Sequence, residues 1–333
     1  MWTLKRSLLI LLLGCLLAPL TWAQGPTIGL VVFGDSLSDT GNVFALERRT
    51  GLFEQDVVRP NNTPPEYQVD ALLVPSAPYP RGGHNLTNGA PWVQVLARSL
   101  GFTANAAPAY RSESPAATNY AVDRARARDV EENIDLAEQV ERFLLDFGAS
   151  APSEALYVIA IGSNDISDAL FGALQGQDPS VILNQALQAI AENITALYLS
   201  GATKFLVWNA PNFGLTPAVR IADTQLGAQG QVVQLAQTLS QAFNANLELV
   251  LTQLENSLSG IEIVRFDLYG TVNTMIADPA LFGLTNVTDA CITPNVPPFT
   301  CKRPDEYLFW DGAHPTRAVH AIVAQQIKAL LAQ

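Results

Sequence analysis

Apolar and polar positions along this chain alternate between two periods. Runs that are apolar almost throughout occur at residues 28–33, 155–161, 204–208 and 261–266. Each has the length of a strand, and the lack of polar alternation suits strands buried on both faces of a parallel sheet. Residues 102–107 are a candidate for a further, second strand. Between these runs apolar residues return every three or four positions, as on one face of a helix. Trp92, Val95, Leu96 and Leu100 form one such stripe, stopped by Gly101, and Ile134, Ala137, Val140, Leu144 and Phe147 form a second. Leu183, Ala186, Leu187, Ile190, Ile194 and Leu197 make a third, and residues from Val232 to Leu254 a long fourth. The last stripe, Val319, Ile322, Val323, Ile327 and Leu330, follows Pro315, a favoured first helical residue. Strands alternating with helices predict an α/β fold, a parallel sheet of about five strands covered on both faces.

Two stretches break the pattern. Residues 1–23 begin with Lys5 and Arg6, continue through an apolar core at 8–20 and end in Thr21-Trp22-Ala23. This is the composition of a secretory signal peptide, and the apolar core falls short of the roughly 20 residues of a membrane-spanning helix. A variant reading is lipoprotein processing at Cys15, although Leu16 and Leu17 continue the apolar run. Residues 24–333 are then read as one domain, exported to the periplasm or beyond. The second irregular stretch, 43–87, is rich in proline and polar residues. It reads as a loop insertion that either overhangs the functional site or is a solvated excursion.

Charge and cysteines narrow the class. The chain carries 19 basic and 31 acidic residues, a net charge of −12. Both basic residues of the leader would be lost with it, leaving the remainder more acidic still. Such a surface does not track phosphates, so nucleic acid is not an expected partner. Outside the leader only Cys291 and Cys301 remain, an even pair that reads as one disulfide in an exported chain. Three histidines and no CxxC or HxxxH spacing give no zinc site, and no metal or cofactor is implied.

The chemistry gathers where the apolar runs end. Residues 28–33 run into Gly34-Asp35-Ser36-Leu37, which carries a serine just past a strand's C-terminal end, where open α/β sheets bind ligands. A serine hydroxyl needs a neighbouring base and that base an orienting group. Asp311 and His314, three residues apart, can present both side chains to one point, whereas His84 sits in a loop and His320 within a helix. Residues 155–161 empty into Gly162-Ser163-Asn164-Asp165, and 204–208 into a loop holding Asn209 and Asn212. Those two asparagines are candidates to line a substrate cleft, or merely to form the turn. Asp35 and Asp39 are read as braces of the serine turn.

Gly34-Asp35-Ser36-Leu37, Gly162-Ser163-Asn164-Asp165 and Asp311-x-x-His314, in that order, resemble the motif blocks of the GDSL lipases and esterases, also called SGNH hydrolases. Asn88-Gly89-x-x-Trp92 and Asn119-Tyr120-Ala121-Val122 resemble the secreted bacterial branch of that family. The resemblance implies a flavodoxin-like three-layer α/β/α sandwich and a hydrolase of carboxylic esters. It implies Ser36 as nucleophile, His314 as base, Asp311 as its partner, and an acyl-enzyme intermediate. It further implies an oxyanion hole from the N–H of Ser36, a backbone N–H of the second block and the amide of Asn164. In that block relatives carry Asn-Tyr-Ala-x-Gly-Gly, whereas this chain has Asp123-Arg124, so the donor maps onto Arg124, with Asp123 the neighbouring choice. An acyltransferase or carbohydrate deacetylase would use the same groups, and the missing glycines are also compatible with a catalytically impaired binding protein. The partner implied is a small-molecule or lipid ester. The chain ends 19 residues after His314, so no C-terminal membrane barrel and no stable membrane span are expected.

Overall fold

Four apolar runs form strands β1 (Leu30–Gly34), β2 (Leu156–Ala160), β3 (Lys204–Trp208) and β4 (Glu262–Phe266), paired in parallel in that order. The computed structural model describes residues 28–50, 69–79, 83–131 and 133–333. The leader at 1–23, with Cys15, and much of the 43–87 stretch lie outside the described residues.

Alternation along the strands divides the core into two layers. Val31, Phe33, Tyr157, Ile159, Phe205 and Val207 face one way. Helices α3 (Leu136–Asp146), α4 (Ser163–Leu174), α5 (Pro179–Leu199) and α7 (Gln231–Ser257) cover that face. Leu30, Val32, Val158, Ala160, Leu206 and Trp208 face the other way, beneath α2 (Trp92–Leu100), α8 (Leu268–Ala277) and α9 (Arg317–Leu330). The result is the three-layer α/β/α sandwich, because strands apolar on both faces leave neither face fit for water.

The strand expected at 102–107 does not form. Thr103–Ala106 coil into a 3-10 turn, since the alanine-rich TANA segment has little strand propensity and the Asn105 side chain is needed elsewhere. Its Oδ1 accepts from Gly29 N–H (3.0 Å) and its Nδ2 donates to the Ala116 carbonyl (2.8 Å). The fifth lane of the sheet is filled instead by residues 118–122. Val32 N–H donates to Thr118 O (3.0 Å), Tyr120 N–H to Val32 O (2.7 Å) and Val122 N–H to Gly34 O (3.1 Å). The second motif block is thereby strapped to the strand that leads to Ser36.

Other boundaries also move. Residues 43–50, placed by sequence at the start of a loop, belong to helix α1 (Asn42–Thr50). Helices α4, α6 (Pro217–Gln225) and α8 lack a stripe that stands out in the sequence. The last helix begins after Pro315, as expected, at Arg317, while Pro315 itself lies outside it in an antiparallel bridge with Phe309. Two short strands, β5 (Asn286–Ala290) and β6 (Tyr307–Phe309), make a separate parallel pair leading to the Asp311 turn. Cys291 and Cys301 are joined as a disulfide beside it, packed with Tyr79 and Trp310.

Phe143 of α3 is fully buried and meets Phe33 and Tyr157 of the sheet and Tyr120 of the fifth lane edge-on, with ring centroids 5.7–5.8 Å apart. Phe143→Ala should therefore lower stability by about 3–5 kcal/mol. Urea unfolding would measure it, and a loss near zero would contradict this packing.

Candidate active site

The turn after β1 is built around two buried carboxylates. Asp35 Oδ1 accepts the Leu37 N–H (3.1 Å), while the main chain of Ser38 and Asp39 returns to the Asp35 carbonyl (3.0 Å each). Asp39 accepts from Gly41, Asn42 and Val43 at the start of α1, at 2.7, 2.6 and 3.0 Å. Its Oδ2 also receives the Asp123 N–H (3.0 Å), so one side chain fixes both the serine turn and the second block. The expected bracing role of Asp35 and Asp39 is what these contacts describe. Burial pushes Asp35 up to about 7, opposed by the Leu37 N–H and by the nearby His314. Its Oδ2 has no partner among the described residues.

His314 arrives from the other end of the chain. Its Nε2 lies 3.0 Å from Ser36 Oγ, and its Nδ1 lies 2.9 Å from each oxygen of Asp311. Asp311 is wholly buried and also accepts the N–H of Ala313 (2.9 Å) and of His314 (2.7 Å). The Trp310 N–H closes the turn onto the His314 carbonyl (2.8 Å). Gly312 is required here: a Cβ would sit 2.1 Å from the Leu72 carbonyl oxygen. A carboxylate that holds one imidazole nitrogen leaves the other to accept the serine proton.

Sequence reasoning missed Tyr79. Its hydroxyl donates to Asp311 Oδ2 at 3.0 Å, and its buried ring stands edge-on to Trp310. No motif flags it, because it comes from the proline-rich stretch read as a loop. That stretch therefore reaches the buried side of the site.

The third motif follows β2. Gly162 adopts φ 124°, and a Cβ would meet the Phe243 ring at 2.6 Å, so only glycine permits this entry into α4. Asn164 in the first turn donates through Nδ2 to the Ala125 carbonyl (2.9 Å), which couples it to the second block. Asp165 reinforces the coupling by accepting the Ala127 N–H (2.8 Å). Arg124 holds the left-handed backbone, φ 62°, that glycine would supply there. Its half-exposed guanidinium lies 3.4 Å from the carbonyls of Pro75 and Ser76, while its N–H faces the Asp123 carboxylate. No described residue accepts the Ser36 N–H.

Electrostatics centre on the imidazole. Burial works to lower the His314 pKa, but the charge and hydrogen bond of Asp311, helped by Asp123 and Asp35, raise it above its usual value. Asp123 is itself pushed up by burial, against the pull of Arg124 and His314.

The remaining candidates separate. Asn212 donates to Asn273 (3.2 Å) and Tyr269 (3.4 Å), and its buried Oδ1 has no partner among the described residues. Asn209 is instead tied to Asp267 (2.7 Å) and to the Tyr269 N–H (2.8 Å), a clamp between β3 and α8, and it lines a separate pocket with Asn244 and Arg265. His84 stacks on Phe44, and His320 Nδ1 accepts the Trp92 N–H (3.2 Å). Asp129, Asp135 and Glu138 lie close together, but Asp135 is occupied by the N–H groups of Arg126 and Val130 at the start of α3.

Residues 30–327 match the family model described as GDSL-like lipase/acylhydrolase. A GDSL esterase/lipase of Arabidopsis thaliana is 27% identical over 97% of both chains. Another from the same plant is 29% identical, again over 97% of each. A crystal structure of a Bacillus subtilis protein, YXIM, aligns with 92% of this chain at 13% identity and a TM-score of 0.41, and this chain spans 57% of its length.

Asp35 makes a pH prediction. A buried carboxyl raised to about 7 favours the fold fully below its ordinary value near 4 and loses that contribution as pH rises through 7. Asp35→Asn keeps an oxygen for Leu37 and removes the titration. The stability of the variant relative to the parent should rise between pH 4 and 8, by up to roughly 4 kcal/mol. Urea melts across that range would show it, and a constant difference would count against a charged, orphaned Asp35.

Proposed function

The chain belongs to the GDSL-like lipase/acylhydrolase family, and from that premise we propose a hydrolase of carboxylic esters in which Ser36 is the nucleophile, His314 the general base and Asp311 the group that orients it. The observation that carries this reading is the 3.0 Å contact between Ser36 Oγ and His314 Nε2, made across 278 positions of sequence. Ser36 Oγ attacks the ester carbonyl as Nε2 takes its proton, and the imidazolium returns that proton to the departing alcohol. Water then attacks the acyl-serine through the same base and frees the acid. The oxyanion is assigned to the N–H of Ser36, the N–H of Arg124 and the Asn164 amide. Each such donor is typically worth about 3–4 kcal/mol in the transition state.

Asp123 works against that hole, since a carboxylate facing the Arg124 N–H competes with a developing negative oxygen. This favours, as a second reading, a binding protein of reduced turnover. The substrate class is a small-molecule or lipid ester. Export rests on the composition of residues 1–23, and among the described residues no helix is long and apolar enough to cross a membrane.

A fluorophosphonate probe should label the full chain at Ser36, and Ser36→Ala should lower kcat by more than about a thousandfold. Labelling elsewhere, or turnover by the variant, refutes the assignment. Unlabelled protein that still binds esters would support the second reading.

Only neutral His314 can accept the serine proton, and its pKa is raised. The acid limb of kcat/KM should therefore lie above pH 6.5. Asp123→Asn removes a charge that stabilises imidazolium and should move the limb down. Tyr79→Phe leaves more of the Asp311 charge to His314 and should move it up. Shifts in the same direction would contradict the geometry.

A further inference from the structure

We propose that Asp168 is a positioning residue for ester cleavage: by gripping Arg126 and Arg128 it sets the main chain of residues 124–128 against α4, and with it two donors of the oxyanion hole; this rests on the ester-hydrolase reading. Asn164 and Asp168 stand four residues apart on α4, and so on one face of that helix. Both hold the same segment. Asn164 Nδ2 donates to the Ala125 carbonyl (2.9 Å). Asp168 receives Arg126 Nε on one oxygen (2.9 Å) and Arg126 Nη2 on the other (3.0 Å), a fork-to-fork pair. Arg128 Nη2 donates to the same carboxylate.

The pair reaches the site through the third nitrogen of Arg126. Nη1 donates to the Arg124 carbonyl (2.6 Å), so one guanidinium joins α4 to the residue whose N–H is assigned to the oxyanion. Arg124 needs such a hold, because a residue with a side chain keeps a positive φ only where its surroundings over-determine it. Asn133 Nδ2 adds a second bond to the same carbonyl (3.0 Å). The Asn164 amide depends on the segment too. One of its two N–H groups is engaged by Ala125, which fixes the plane of the amide and leaves the other for the acyl oxygen. A shift of the Ala125 carbonyl would turn that plane. Arg126, Arg128 and Asp168 are mostly buried, so truncating the carboxylate would leave charge without its partner. Arg128 would still have Asp165 at 3.7 Å, but Arg126 would lose its bidentate partner and the segment its grip on α4. The charges that raise the His314 pKa are Asp311, Asp123 and Asp35, so Asp168 acts on the donors and not on the base.

The test is kcat, KM and the acid limb of the full chain on p-nitrophenyl ethanoate, with kcat expressed per site titrated to completion by the fluorophosphonate probe. Asp168→Asn should lower kcat per titrated site by about 10- to 100-fold, the scale of a reacting group misplaced by about 1 Å. KM should stay within about twofold and the limb should not move, as for a contact made only in the transition state. Arg126→Lys keeps the charge but cannot bond both Asp168 oxygens and the Arg124 carbonyl at once. It should lower kcat in the same way, and it serves if Asp168→Asn does not fold. The double variant should fall no further than the lower single, since both break one clamp. Fewer titrated sites at unchanged kcat per site would mean that Asp168 serves the fold alone. That outcome, a displaced limb or additive losses would overturn the proposal while the ester-hydrolase reading stands. Neither labelling nor turnover by the parent chain would overturn both.

Discussion

A carboxylate with no access to water organises this molecule. Asp311 is fully buried, and an isolated ion there would cost many kcal/mol. Four donors compensate: two N–H groups of its own turn, the His314 ring and the Tyr79 hydroxyl. Each donor requires something of the chain. The turn needs Gly312, because the Leu72 carbonyl leaves no room for a Cβ. The Tyr79 hydroxyl needs the 69–79 segment folded against Trp310 and the disulfide. The ring needs its far nitrogen engaged, and Ser36 is what meets it.

That meeting depends on the parallel sheet. Parallel strands bring their C-terminal ends to one edge, so the residues after β1 and β2 become neighbours despite their separation in sequence. Residues 118–122 join them by pairing with β1 as an irregular fifth lane. Asp39 then ties this lane to the serine turn, and Asn164 and Asp165 tie it to α4. The loops at the site are thus held by hydrogen bonds between loops as well as by the strands beneath.

Much of this was legible because it obeys simple periods. The runs at 204–208 and 261–266 became β3 and β4, and the stripe from Val232 to Leu254 became α7, since burial on one or both faces dictates the pattern. The strand at 102–107 was misread because alanines carry little information and the role of Asn105 lies in distant hydrogen bonds. The true fifth lane contains Asn119 and Tyr120, which serve turns and cores as readily as edges. The meeting of Ser36, Asp311 and His314 was legible because few residue types can act as nucleophile or base, which singled them out as candidates. Tyr79 was not, since a phenol that donates one hydrogen bond looks like any core tyrosine. For Asn209 both a cleft and a turn were open, since an asparagine past a strand suits either, and its bonds to Asp267 and the Tyr269 N–H serve the turn.

Asp123 and Arg124 show how a chain can depart from glycine without losing its backbone. Arg124 pays the conformational cost of a positive φ, of the order of 1 kcal/mol, and Asp39 anchors the preceding N–H. Arg124 thus keeps the left-handed backbone that glycine favours and adds side-chain contacts to the Pro75 and Ser76 carbonyls, while Asp123 adds a charge. Asp123 raises the His314 pKa, as Asp311 does, while its carboxylate faces the Arg124 N–H. In the proposed mechanism the same group would strengthen the base and oppose the oxyanion. Those two effects would have opposite signs along one reaction coordinate, so an acid here would trade stabilisation of the developing anion for basicity of the imidazole.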